Sequence, residues 1–193
     1  RNKIEERNWE LQVLGGFPYM HGLYGTDGTV GSGKGFPVHK FSGYSLGAAF
    51  WHTSLEKKIY FLPKGFRLGL TTKLTLASGT ADIVAADGQM ISGNTKLTTQ
   101  LFAGYLMMGV PYLQRDRFVL LAELGGGATY GRVLTPSDQI FASVLPGVVV
   151  GTSAAYHFSY WSVGLSYRAQ AWFLSTYRAF LQHDAYFYVG LRL

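Results

Sequence analysis

The last nine residues, Ala185 to Leu193, alternate two kinds of side chain without a break. Ala185, Phe187, Val189, Leu191 and Leu193 fall at odd positions, Tyr186, Tyr188, Gly190 and Arg192 at even ones. Strand side chains repeat every second residue, so this segment has one apolar face and one mixed face. The same pattern recurs along the chain. It is clearest where Phe66, Leu68, Leu70, Thr72, Leu74 and Leu76 alternate with Arg67, Gly69, Thr71, Lys73 and Thr75. An arginine and a lysine at that spacing would fall within the apolar stripe of a helix, so the period is two and not 3.6.

Eight such segments are expected as strands, at about 8–21, 41–52, 66–76, 96–109, 118–131, 147–157, 161–173 and 185–193. Facing outward are Trp9, Leu11, Val13, Phe17 and Tyr19 in the first, Tyr44, Leu46 and Phe50 in the second, and Trp161, Val163, Leu165 and Tyr167 in the seventh. The opposite faces collect Glu10, Arg67, Lys73, Glu123, Arg168, Asp184 and Arg192, together with small residues and Trp51 and Trp172. A soluble calyx of eight strands would put its large hydrophobes inside. Charge inside and hydrocarbon outside is the membrane arrangement, so the expected fold is an all-β, eight-stranded antiparallel up-and-down transmembrane barrel with a polar lumen.

Composition agrees with this placement. Charged residues make up 15% of the 193, below the roughly 25% of soluble domains, while aromatics reach 16% and glycine 25 residues. No run of about 18 uncharged apolar residues is present, which argues against helical spanning. The net charge of +6 comes from scattered lysines and arginines, without the basic clusters of a nucleic-acid surface. The absence of cysteine removes disulfides and thiolate metal sites. The chain is expected to be one domain over 1–193, a mature form from which a signal peptide has been removed, with 1–7 as a short periplasmic segment.

Connections are expected to alternate long and short. Leu23 to Lys40, Ser78 to Thr95, Val133 to Pro146 and Ser175 to His183 are rich in Gly, Ser, Thr and Asp and read as outer loops. Pro111 to Arg117 and Phe158 to Tyr160 read as short turns on the other rim. Thr53 to Gly65 is too long for that rim; its Ile59 to Pro63 either extends the third strand or lies on the lipid surface. Aromatics should gather in two girdles, with Trp9, Phe66, Phe118, Tyr156 and Trp161 low and Phe17, Tyr19, Tyr44 and Tyr130 high. The low rim also carries Lys57, Lys58, Lys64, Arg115 and Arg117 against Glu56 and Asp116, a surplus of cations that reads first as solvated turn residues and second as a contact with anionic headgroups of the inner leaflet.

The inward charges are the candidate site. An eight-stranded barrel is just wide enough for side chains to fill it, and a lone buried charge is costly, so these groups should pair. Two groupings are expected: a lumen ion-pair cluster of Glu123, Arg168, Lys73 and Arg67, and a barrel-closure pair of Glu10 and Arg192. The four inner cations outnumber the acids Glu10, Glu123 and Asp184, leaving room for an anion or solvent.

Other motifs carry less. Gly28 to Lys34 nearly spells a phosphate loop, but Gly35 stands where Ser or Thr would hold Mg²⁺, and no buried strand and helix flank it. The histidines His21, His39, His52, His157 and His183 show no metal-ligand spacing. No cofactor, metal or catalytic residue is therefore expected. His157 and Ser159 form a His-x-Ser that resembles the lipid A deacylase barrels of the PagL type over three residues. Both are expected to face inward near the low rim, whereas such an enzyme needs its nucleophile facing lipid in the outer half. Tyr160 also replaces the Asn that follows the Ser in that family.

As a whole the chain resembles the small eight-stranded outer-membrane proteins of Gram-negative bacteria, of the OmpA-barrel, OmpX and OmpW type. The resemblance covers the architecture and the alternating C-terminal strand, although Leu193 stands where those proteins usually end in Phe or Trp. It implies residence in the outer membrane, contact with lipid and lipopolysaccharide, and recognition by the barrel assembly machinery. Three roles follow as expectations: a non-enzymatic barrel with a plugged lumen that uses its outer loops for protein contacts; a narrow channel or lateral path for small hydrophobic molecules; and a lipid-modifying enzyme.

Overall fold

The computed structural model describes residues 7–23, 29–30, 33–34, 41–53, 55, 59–84, 90–134, 139–175 and 178–193. Among the described residues there are ten strands: β1 (Trp9–Leu23), β2 (Thr29–Val30), β3 (Gly33–Lys34), β4 (Phe41–His52), β5 (Arg67–Val84), β6 (Met90–Arg115), β7 (Phe118–Leu134), β8 (Gln139–His157), β9 (Trp161–Ser175) and β10 (Arg178–Arg192). Eight of them close a barrel in which each pairs antiparallel with its sequence neighbour and β1 pairs with β10; β2 and β3 form a separate two-stranded ribbon. The seam runs unbroken from Glu10 opposite Arg192 to Leu23 opposite Ala179. Beyond it, Trp9 N donates to Leu193 O at 3.2 Å and Leu193 N to Trp9 O at 2.9 Å.

Burial alternates as the sequence pattern requires. Glu10, Gln12 and Leu14 on β1 are buried, while Trp9, Leu11 and Val13 between them are exposed. On β5, Arg67, Thr71, Lys73 and Thr75 are buried while Leu70 and Leu74 are exposed. The exposed side chains form an apolar belt bounded by aromatics. Trp9 and Tyr19 on β1 stand about 25 Å apart along the barrel axis, taking roughly 3.3 Å per residue and a tilt near 40°, which matches the apolar band of an outer-membrane barrel.

Three expectations about boundaries are corrected. Most of Ser78 to Thr95 is strand: β5 and β6 continue past Ser78 in a hairpin that pairs Gly79 with Leu97 and Thr80 with Lys96. Likewise β8 begins at Gln139 and β10 at Arg178, within segments read as loops. Beyond the apolar belt a barrel wall meets water on its outer face, so Ser, Thr and Gly there signal a hydrated strand as readily as a loop. On the opposite rim β6 runs to Arg115, leaving Asp116 and Arg117 as the turn; Asp116 has φ +49°, a left-handed conformation that a short polar side chain tolerates. Finally, Ile59 to Pro63 does not extend β5, which starts at Arg67. The expected N-terminal segment lies outside the described residues except for Arg7. So do Gly28, Gly31, Ser32, His39, Glu56, Lys57 and Lys58.

Leu70 is 55% exposed at mid-belt on β5. Leu70→Arg should lower stability in lipid vesicles by about 2–4 kcal/mol, read from denaturant unfolding. Unchanged stability would mean that this face does not meet hydrocarbon.

Candidate functional site: the ionic lumen

The sheet alternation turns alternate side chains of all eight barrel strands inward, and three buried ion pairs stack along the interior. At the rim that carries both termini, Glu10 on β1 meets Arg67 on β5, with Arg67 Nη1 donating to Glu10 Oε2 at 3.3 Å. Glu10 Oε1 also accepts from Gln12 Nε2 at 2.8 Å and from Ser162 Oγ at 2.5 Å. Gln12 Oε1 in turn accepts from Trp51 Nε1 at 3.1 Å. The second nitrogen of Arg67, Nη2, faces His157 Nε2 at 3.3 Å. Guanidinium can only donate, so the geometry requires a neutral His157 with its proton on Nδ1.

Higher in the lumen, Arg168 Nε on β9 donates to Glu123 Oε2 on β7 at 2.8 Å, and Ser153 Oγ donates to Glu123 Oε1 at 2.8 Å. The Arg168 guanidinium lies 5.6 Å from the centre of the Tyr186 ring, within cation–π reach. The third pair is Lys73 on β5 with Asp184 on β10, Nζ to Oδ2 at 2.8 Å. Asp184 is the most heavily served carboxylate, taking further hydrogen bonds from Gln182 Nε2 (2.9 and 3.1 Å), Gln170 Nε2 and Ser45 Oγ (3.4 Å). Above these pairs the interior turns apolar, with Met20, Phe41, Ala77, Leu97 and Leu101 buried together against Val133.

The four residues expected as one cluster thus divide among three pairs. Glu123 meets Arg168, but Lys73 goes to Asp184 and Arg67 to Glu10. Position along the strands explains the division: Arg67 opens β5 at the low rim, and Lys73 is six residues higher. The expected closure pair is brought together in the backbone but not through its side chains. Glu10 and Arg192 are opposite one another in the backbone register, yet the Glu10 carboxylate is taken by Arg67, and Arg192 Nη1 donates to Phe158 O at 3.3 Å. Arg192 is only partly buried, near the wet rim, whereas Arg67 reaches across the lumen. The fully buried charges therefore balance, with Arg67, Lys73 and Arg168 against Glu10, Glu123 and Asp184.

Sequence reasoning placed Asp184 inside without naming it a site residue, and did not single out Gln12, Gln170, Gln182, Ser153 or Ser162. All six sit at inward positions, and that parity was the available signal. Trp51 and Trp172 point into the lumen as expected, each 1% exposed. His157 is buried, but Ser159 lies exposed in the β8–β9 turn rather than facing inward, because the strand ends at His157 and its alternation stops there. His183 faces outward, its Nδ1 2.6 Å from Tyr167 Oη. Among the described residues no group of three or more His, Asp or Glu side chains is arranged to hold a metal.

No family model and no curated protein sequence matches the chain. Solved structures do. Neisserial surface protein A superimposes with a TM-score of 0.57 at 8% identity, covering 96% of this chain and 97% of that one. The chain has the fold of the small outer-membrane β-barrels. The attachment invasion locus protein Ail of Yersinia pestis aligns at a TM-score of 0.47 and 8% identity over 97% of this chain and all of the other. The outer membrane protease OmpT of Escherichia coli aligns at 0.42 and 9% over 99% of this chain and 98% of the other.

Breaking a buried pair leaves a stranded charge. Glu123→Ala should cost about 3–5 kcal/mol, and adding Arg168→Ala should recover part of that loss, whereas additive losses would mean the two do not act as a pair. Arg67→Ala should be similarly severe, whereas Arg192→Ala should cost no more than about 1 kcal/mol. Equal losses at the two arginines would contradict this division of partners.

Proposed function

We propose that the chain is an integral barrel of a bacterial outer membrane whose filled lumen does not conduct, and that its role is surface interaction through the outer end of the barrel. One observation carries the first half. Three ion pairs, Trp51, Trp172 and the apolar cluster toward the outer end all lie buried in the interior. An ion crossing would have to separate at least one buried pair, which is as costly as losing a partner. The stack also fixes the register, since Glu10–Arg67, Glu123–Arg168 and Lys73–Asp184 each join strands that are not neighbours in the sheet.

The second half rests on the β5–β6 hairpin. The last register pair of β5 with β4 is Ser78 opposite Ser42, and the last of β6 with β7 is Thr98 opposite Leu134. From Gly79 to Val84 and from Met90 to Leu97 the two strands pair with each other, beyond the last of those register pairs. Ser78, Thr80, Asn94 and Lys96 are exposed along this hairpin and offer polar contacts to a protein partner in the extracellular space. The remaining contacts follow from residence in that membrane: lipid and lipopolysaccharide around the belt, and the assembly machinery at the C-terminal strand. The proposed role is non-catalytic; the His157–Ser159 pair that resembles a deacylase is not assembled, with His157 buried and Ser159 exposed in the turn.

Reconstituted in a planar bilayer, the protein should give no current steps above the lipid baseline at neutral pH. Regular steps of constant size would contradict the filled lumen. Removing residues 80–95 should leave folding intact and abolish partner capture at the surface; capture that survives the deletion would move the interaction elsewhere.

A further inference from the structure

Tyr60 and Phe61 are the most exposed large hydrophobic side chains among the described residues, fully open and 87% open respectively. They lie in the β4–β5 connection, on the rim that carries both termini. Backbone hydrogen bonds from Leu62 N to Ile59 O (3.1 Å) and from Phe66 N to Pro63 O (3.0 Å) fold this segment into successive turns, which keeps it close to the rim. Ile59, Leu62 and Phe66 are half-buried, so the segment holds these side chains against the protein and presents Tyr60 and Phe61 away from it. Gly65 has φ +79°, and a Cβ there would come 3.1 Å from Pro111 Cγ, so the turn packs against the lower end of β6. That stretch of β6 bears Tyr112, 60% exposed, whose hydroxyl is 3.1 Å from Thr152 Oγ1 on the outer wall, and Leu113, 47% exposed. Around it Lys64, Arg115 and Arg117 are exposed, with Asp116 the neighbouring exposed carboxylate.

We propose that the Tyr60–Phe61 turn is an interfacial anchor that lies in the headgroup layer of the inner leaflet and favours anionic phospholipid there. It rests on the reading that the barrel spans a membrane. Three observations select lipid as the occupant. The turn is continuous with the low aromatic band of Trp9, Tyr112, Phe118, Tyr156 and Trp161, all exposed on the outer wall. Aromatic rings on short connections at that depth sit at the membrane–water boundary. Lys64, Arg115 and Arg117 complement anionic headgroups at the same level, as juxtamembrane cations do. Strand extension, the other use for this long connection, is excluded by the start of β5 at Arg67.

The chain has no cysteine, so single nitroxide labels report without background. Labels at Phe61→Cys, Phe17→Cys and Thr80→Cys would be compared in vesicles of phosphatidylethanolamine with phosphatidylglycerol, and in phosphatidylcholine alone. The reading is the ratio of oxygen to water-soluble nickel accessibility. Position 61 should give a ratio several-fold above that at position 80, intermediate between it and the lipid-facing position 17. That ratio should fall in phosphatidylcholine and in a Lys64→Glu, Arg115→Glu, Arg117→Glu variant. A position 61 as water-accessible as position 80, with position 17 still in lipid, would overturn the anchor alone. Water access at position 17 as well would overturn the membrane reading with it. A ratio at position 61 indifferent to lipid charge would overturn the preference for anionic headgroups. Phe61 is almost wholly exposed, so its replacement should leave folding yield unchanged.

Discussion

In hydrocarbon no water is present to satisfy a backbone N–H or C=O, so a sheet that crosses a membrane must close on itself. In this chain the closing contact is between its first and last strands, and the other features depend on it. Trp9 and Leu193 exchange backbone hydrogen bonds, and the seam continues without a gap to Leu23 opposite Ala179. Closure then assigns every side chain to one of two environments. With eight strands the inner one is narrow, and it holds large buried side chains such as Trp51, Trp172 and Tyr188.

Filling with charge has a consequence for specificity. An apolar plug tolerates sliding, because one leucine packs much like another. A stack of ion pairs does not, since shifting one strand by two residues would separate every partner it supplies. Glu10, Glu123 and Asp184 are each held by one cation and by at least one neutral donor, so desolvation is offset within each layer. The apolar group around Phe41 and Leu101 lies beyond the last of these layers, toward the outer end. On the proposed reading, the same bonds that define the register also obstruct the pore.

Much of this was legible in the residues. Period-two alternation gave the eight strands and both faces, because a side chain's direction in a strand depends on parity alone. Parity also put Glu123 and Arg168 inside, among the charges expected to pair. Partners at unlike heights were harder to read. Strand tilt and stagger shift the level of each strand relative to the next, and neither quantity is written in any one segment, so Lys73 could not be matched to Asp184 nor Arg67 to Glu10. The strand ends above the membrane were also misjudged. Beyond the belt, Thr80 and Lys96 experience water on one side and still pair, so composition there does not separate loop from wall.

The assignment of the two faces can be tested without altering the chain. In lipid bicelles, with methyl groups labelled, contacts between protein methyls and acyl chains are read directly as nuclear Overhauser effects. Leu70, Val148, Leu165 and Val189, which face outward, should show strong acyl-chain contacts. Leu14, Leu121 and Val149, which are buried in the lumen, should show contacts to interior side chains and none to lipid. Acyl-chain contacts at Leu14 and Val149, or their absence at Leu70 and Leu165, would contradict a barrel with hydrocarbon outside and ion pairs within.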